Sequence, residues 1–170
     1  MKSFLKRAIG LSLPALLFVC SPLQAQNNQP PKTKIGAIQV AMIQSDEIKL
    51  PAEFQIALYE NLIRQLGKQG FSQVYRDGDA KAASTSDLVV LRGTVSKFKK
   101  GSEMARQVTT VAGATSITIH CRFTKPDGTV LLERDVDGKV RFFGGNLRAT
   151  HDFAKKAARL TGQNFTASGS

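Results

Sequence analysis

The chain has 170 residues, 42% hydrophobic and 22% charged, which is the composition of a globular protein and excludes a disordered one. Its 14 glycines and 6 prolines are near average usage, which excludes a collagen-like or linker-like chain. A net charge of +11 points to acidic partners without naming them.

Residues 1–25 have the order of a secretory signal peptide. Lys2, Lys6 and Arg7 make a positive start, Ala8–Val19 is an apolar run interrupted by Pro14, and Ser21–Ala25 is a polar, small-residue end. The run is shorter than the roughly 20 apolar residues that span a bilayer. Cleavage after Ala25 and a periplasmic destination are therefore expected, with no transmembrane span in the mature chain. A second reading stays open. Leu17-Phe18-Val19-Cys20 carries the leucine of a bacterial lipoprotein signal, which would anchor the protein to the outer membrane through Cys20. The leader holds three of the 24 basic residues and none of the 13 acidic ones, so the mature chain keeps a net charge of +8. Once Cys20 is removed no intramolecular disulfide can form. Cys121 is then expected to be buried as a small hydrophobe, the alternative being a Cys121-linked dimer.

Gln26–Lys34, with Pro30-Pro31, reads as a flexible polar leader. Ile35–Ile43 is apolar on both alternating faces and predicts a strand covered on both sides. From Glu53, Phe54, Leu58, Leu62 and Leu66 recur every four residues, predicting an amphipathic helix of about five turns that stops at Gly70. Phe71–Tyr75 predicts a short strand ended by Arg76-Asp77-Gly78-Asp79. Leu88–Phe98 predicts a strand with Val89, Leu91 and Val95 inward, where Gly93 marks a bulge or a close approach. After a polar segment, Thr115–Thr124 alternates Ile117, Ile119, Cys121 and Phe123 against Thr118, His120, Arg122 and Thr124. Lys125-Pro126-Asp127-Gly128 then predicts a turn into Thr129–Phe142, with Val130, Leu132, Val136, Val140 and Phe142 inward. Its outward Glu133, Asp135, Asp137, Lys139 and Arg141 predict a wet face. Leu147 to about Asn164 predicts a second helix, with Ala154, Ala157, Ala158 and Thr161 packed and Arg148, Asp152, Lys155, Lys156 and Arg159 opposite. The expected fold is α+β: a mixed, mostly antiparallel sheet with two main helices on one face. One domain should span 35–166, followed by a disordered tail at 167–170.

The chemistry-bearing residues are sparse. His120 and Cys121 are neighbours on a strand and point to opposite faces, so no metal site is expected. Ser102, His120 or His151, and Asp152 belong to no nucleophile motif, and Glu133, Asp135 and Asp137 are spaced as solvated charge. No enzymatic activity and no cofactor are expected, although a hydrolase cleft around Ser102 or His151 is the reading that a structure would test. Nucleic acid is disfavoured, because the aromatic residues are Phe-rich and read as core, with no stacking platform. The basic surplus falls on Lys97, Lys99, Lys100 and Arg106 and on the last helix.

Val90-Leu91-Arg92-Gly93-Thr94-Val95, then Gly101-Ser102-Glu103-Met104-Ala105-Arg106, then Gly113, an alternating strand and Asp127-Gly128 form an ordered set. In this the chain resembles the bacterial domain-of-unknown-function 4410 family of exported or lipid-anchored envelope proteins, over most of Ile35–Leu160. Val111 stands where that family has a further glycine. The resemblance implies an envelope location and an α/β design, and it carries over only Gly93, Gly101, Ser102, Arg106 and Gly113. The family has no established activity. The leading expectation is a non-enzymatic binding or accessory module for another envelope component. The alternative is an anion-binding module for lipopolysaccharide, phospholipid or nucleic acid. The residues expected to make contact are Ser102, Arg106, Arg148, Lys155, Lys156 and Arg159.

Overall fold

The computed structural model describes residues 31–102, 104–105, 113–140 and 145–168. The expected signal peptide, Cys20, Arg106, Arg141 and Phe142 lie outside the described residues. The elements run β1 (Thr33–Ile35), β2 (Ala37–Val40), α1 (Ala52–Lys68), β3 (Val74–Tyr75), α2 (Ala80–Ala83), β4 (Leu88–Lys99), β5 (Thr115–Thr124), β6 (Val130–Val140), α3 (Arg148–Asn164) and β7 (Phe165–Ala167). Five strands form one mixed sheet in the order β3-β2-β4-β5-β6. The short β2 pairs are parallel, and the long β4–β5 and β5–β6 ladders are antiparallel. The α+β expectation holds. No helix among the described residues is long and apolar enough to cross a membrane.

The core lies between the sheet and the α1/α3 layer. Phe54, Leu58, Leu62 and Leu66 of α1 are buried because their spacing places them on one helical stripe. Leu58, Leu62 and Leu66 share one cluster with Ile38, Val40, Val89, Leu91, Ile119 and Phe123 from the sheet, and with Phe153 and the alanines of α3. Gly70 follows the end of α1 at φ +91°, as a left-handed stop requires. On the opposite face the four-residue α2, capped by Asp79, covers Ala37, Leu88 and Val90 through Ala82. That cover explains why β2 is apolar on both sides.

Three local expectations need correction. The strand expected over Ile35–Ile43 is broken at Gly36, where any Cβ would collide with the Ser86 carbonyl. It ends at Val40, and Met42 is 46% exposed. The strand expected over Phe71–Tyr75 is confined to Val74–Tyr75. Of its two expected roles Gly93 takes the close approach: its missing side chain leaves room for Ile119 Cγ2 (3.1 Å from an ideal Cβ) and Ile43. The register shift falls between Val95 and Lys97, where the Gln44 backbone bridges to β4, accepting from Val95 N–H at 2.9 Å and donating to the Gly93 carbonyl at 2.8 Å. The extra residue inverts the alternation. Phe98 therefore turns inward against Phe54, ring centroids 5.1 Å apart, while Lys97 pairs with Thr118. Finally, Val130 is 42% exposed, beyond a second register shift at the hairpin end.

Residues 33–35 and 165–168 are paired, where the sequence implies a leader and a loose tail. Thr33 and Lys34, expected in the leader, pair in parallel with Phe165 and Thr166, and Ile35 pairs with Ala167. The Ser168 N–H adds a bond to the Ile35 carbonyl at 2.7 Å.

The tightest helix–sheet contact is at Gly138 of β6. An added Cβ would collide with the Ala149 carbonyl and lie 2.7 Å from Phe153 Cβ. Gly138→Ala is expected to cost roughly 1–3 kcal/mol by overpacking. A urea melt should show a lower midpoint at unchanged slope; an unchanged midpoint contradicts the contact.

Candidate interaction surface

The polar stripe of α3 follows from its helical period. Ala154, Ala157, Ala158 and Thr161 are buried, so Asp152, Lys155, Lys156 and Arg159 come round on the far side. Two of these four are structural. Asp152 Oδ2 accepts the Lys139 N–H at 2.9 Å and the Lys156 ammonium at 2.7 Å. Lys156 Nζ also donates to the Asp137 carbonyl at 3.1 Å. This pair occupies outward backbone groups of edge strand β6, which would otherwise lie open to another strand. Lys155 and Arg159 are exposed beside that clamp. Arg148 starts the helix and is itself engaged within the protein.

The loop residues singled out by sequence are tied to the start of this helix. The buried Thr115 hydroxyl accepts the Gly101 N–H at 3.0 Å and donates to Asn146 Oδ1 at 2.5 Å. Gly101 must be glycine, because a Cβ would collide with the Gly113 carbonyl. Gly113 sits at φ +87°, where a side chain is strained. Ser102 Oγ accepts the Ala105 N–H at 3.2 Å, which is a turn-closing role. The structure thus joins Gly101 to the α3 start through Thr115 and Asn146, while Ser102 bonds within its own turn. Neither of those two was marked by the sequence: they are far apart in the chain and belong to no motif. Gly93 stays apart, in the core between Ile119 and Ile43.

The wet face of β4–β6 carries a ladder of matched charges. His120 Nδ1 lies 2.8 Å from Asp135 Oδ1, and Arg122 pairs with Glu133. Asp137 accepts from the Thr118 hydroxyl at 2.8 Å and meets Lys139 at 3.2 Å, which together hold its carboxyl below the ordinary range. These carboxylates are spent on cross-strand pairing. Cys121 faces the other way, and burial, with a smaller contribution from the Asp135 charge, pushes its thiol up to about 12. It stays protonated and poorly nucleophilic at neutral pH. Among the described residues, no group of three or more His, Cys, Asp or Glu could hold a metal ion.

A polar cleft of about 410 Å³ opens at the carboxyl end of β2, lined in part by Gln39, Gln44, Asp46, Asp77 and Arg92. Sequence reading missed it. Its signal is topological: the carboxyl ends of parallel strands are where open sheets receive ligands, and that requires knowing that β2 is flanked by β3 and β4.

Removal of the buried hydroxyl tests the tie between loop and helix. Thr115→Val leaves the Gly101 N–H and Asn146 without it and should cost about 1–3 kcal/mol. Thr115→Ser should recover most of the loss in thermal melting; equal melting of all three proteins contradicts the role.

No protein-family model and no curated protein sequence matches the chain. Solved structures do. The PelC dodecamer from Paraburkholderia phytofirmans is 14% identical, with a TM-score of 0.60 over 81% of this chain and 94% of that one. A singly substituted form of the same dodecamer gives the same TM-score at 13% identity, covering 80% and 94%. The protein XCC0632 from Xanthomonas campestris, of the domain-of-unknown-function 330 family, is 14% identical, with a TM-score of 0.45 over 79% and 83%. At these identities the likeness to PelC is one of fold. The resemblance to the domain-of-unknown-function 4410 family still rests on the short motifs quoted for it.

Proposed function

We propose that the chain is an envelope-associated accessory protein that acts by assembly and binding rather than by catalysis. The observation that carries this reading is the fold shared with PelC, a protein solved as a dodecamer, over 94% of that chain. The export-like leader supports the envelope destination, with a free periplasmic form and a Cys20-anchored form as its two versions. Ser102, considered as a hydrolase nucleophile, supports it too, because its hydroxyl closes a turn by accepting the Ala105 N–H. Fractionation of the native host, followed by intact and native mass measurement, tests the proposal. The expected result is a processed chain in the envelope fraction, with a native mass several times that of the protomer. Unprocessed monomer in the cytosol overturns it.

A second reading is favoured by Lys155 and Arg159, which stand exposed on α3 while Lys156 is taken up by Asp152. These two would draw the protein to an anionic surface. K155E/R159E should then weaken binding to phosphatidylglycerol vesicles and flatten its salt dependence. Unchanged binding removes this reading.

A further inference from the structure

The two flanks of the molecule differ in charge, and the difference is local. One flank is formed by β6 and α3, where Asp152 and Lys156 reach the outward backbone of β6. Lys155 and Arg159 lie beside that clamp, and Arg134 is exposed on β6 itself. The other flank is formed by α1 and β3. Arg76, just past β3, grips Glu60 of α1 with two bonds of 2.6 and 2.8 Å, and Tyr59 Oη accepts the Asp77 N–H at 2.7 Å. One turn before Glu60 stands Ile56, 61% exposed. Glu53, one turn earlier again, and Glu47, in the segment that leads into α1, are both exposed, with the single exposed base Lys49 between them.

We propose that copies of this chain pack head to tail, with the Lys155/Arg159 flank of one copy against the Glu47/Glu53/Ile56 flank of the next. The proposal rests on the assembly reading above and names the surfaces that make it. Charge complementarity sets the orientation, and Ile56 supplies an apolar centre among polar contacts. Two copies of the basic flank would repel, so a symmetric contact through α3 is disfavoured. A contact between unlike patches repeats from copy to copy, and it closes into a ring when the rotation permits. Sheet-to-sheet strand pairing does not drive it. The β3 edge is two residues long, and the α3 clamp already occupies backbone groups at Asp137 and Lys139 of β6.

Sedimentation and native mass spectrometry of the full chain test the contact. K155E/R159E should raise the concentration for half-assembly by about tenfold or more. E47K/E53K should do the same, while an equimolar mixture of the two variants should recover hetero-dimers in which the reversed flanks match. Circular dichroism of each variant should remain that of the wild type, since all four residues are exposed. Assembly unaffected by either reversal overturns the head-to-tail contact and leaves the assembly reading intact. So does loss of vesicle binding by K155E/R159E with assembly unchanged, which assigns the basic flank to an anionic surface. A wild-type chain that stays monomeric at all concentrations overturns both.

Discussion

The approach of α3 to β6 at Gly138 is the contact on which the rest of the molecule depends. Helix backbone reaches strand backbone there because neither side carries bulk: Gly138 faces Ala149 and the Phe153 Cβ. The alanines of α3 continue this small-residue face over the sheet, and each is fully buried. Close approach is what brings Asp152 and Lys156 within reach of the β6 edge. It also brings Asn146 to Thr115 and so fixes where the Gly101 loop begins. A larger residue at 138 would push the helix out and loosen all three at once.

Charge is distributed so that one surface is quiet and another is not. On the wet sheet face every acid from Glu133 to Asp137 has a basic or hydroxyl neighbour. Exposed pairs of this kind contribute little stability each. The basic residues of α3 are different, because Lys156 is consumed by the fold while Lys155 and Arg159 are left at the surface.

Much of this fold was legible from spacing alone. The β5–β6 hairpin alternates along most of its length and turns at Pro-Asp-Gly, so its faces and pairing could be read directly. The four-residue recurrence in α1 and the alanine face of α3 did the same for the helices. The parts that were not legible depend on distant backbone. Gly36 breaks a strand because Ser86 lies against it, and the β4 bulge exists because Gln44 bonds there. No local pattern encodes either partner. The four residues of α2 are too few to show a helical period. The same holds for the surface. Sequence placed Arg148, Lys155, Lys156 and Arg159 together, but only geometry separates Lys156, a clamp on β6, from Lys155 and Arg159.

The parallel pairing of β1 with β7 bears on the order in which the molecule can be completed. Residues 33–35 wait for residues 165–167, at opposite ends of the folded segment. Ile35 is buried with Phe165 in the same core, so Ile35 cannot complete its packing before residue 165 has been made. Closing so long a loop carries an entropic penalty that local helix formation does not, and it slows the final step. A nascent polypeptide of this design keeps its first strand unpaired until residues 165–167 have emerged.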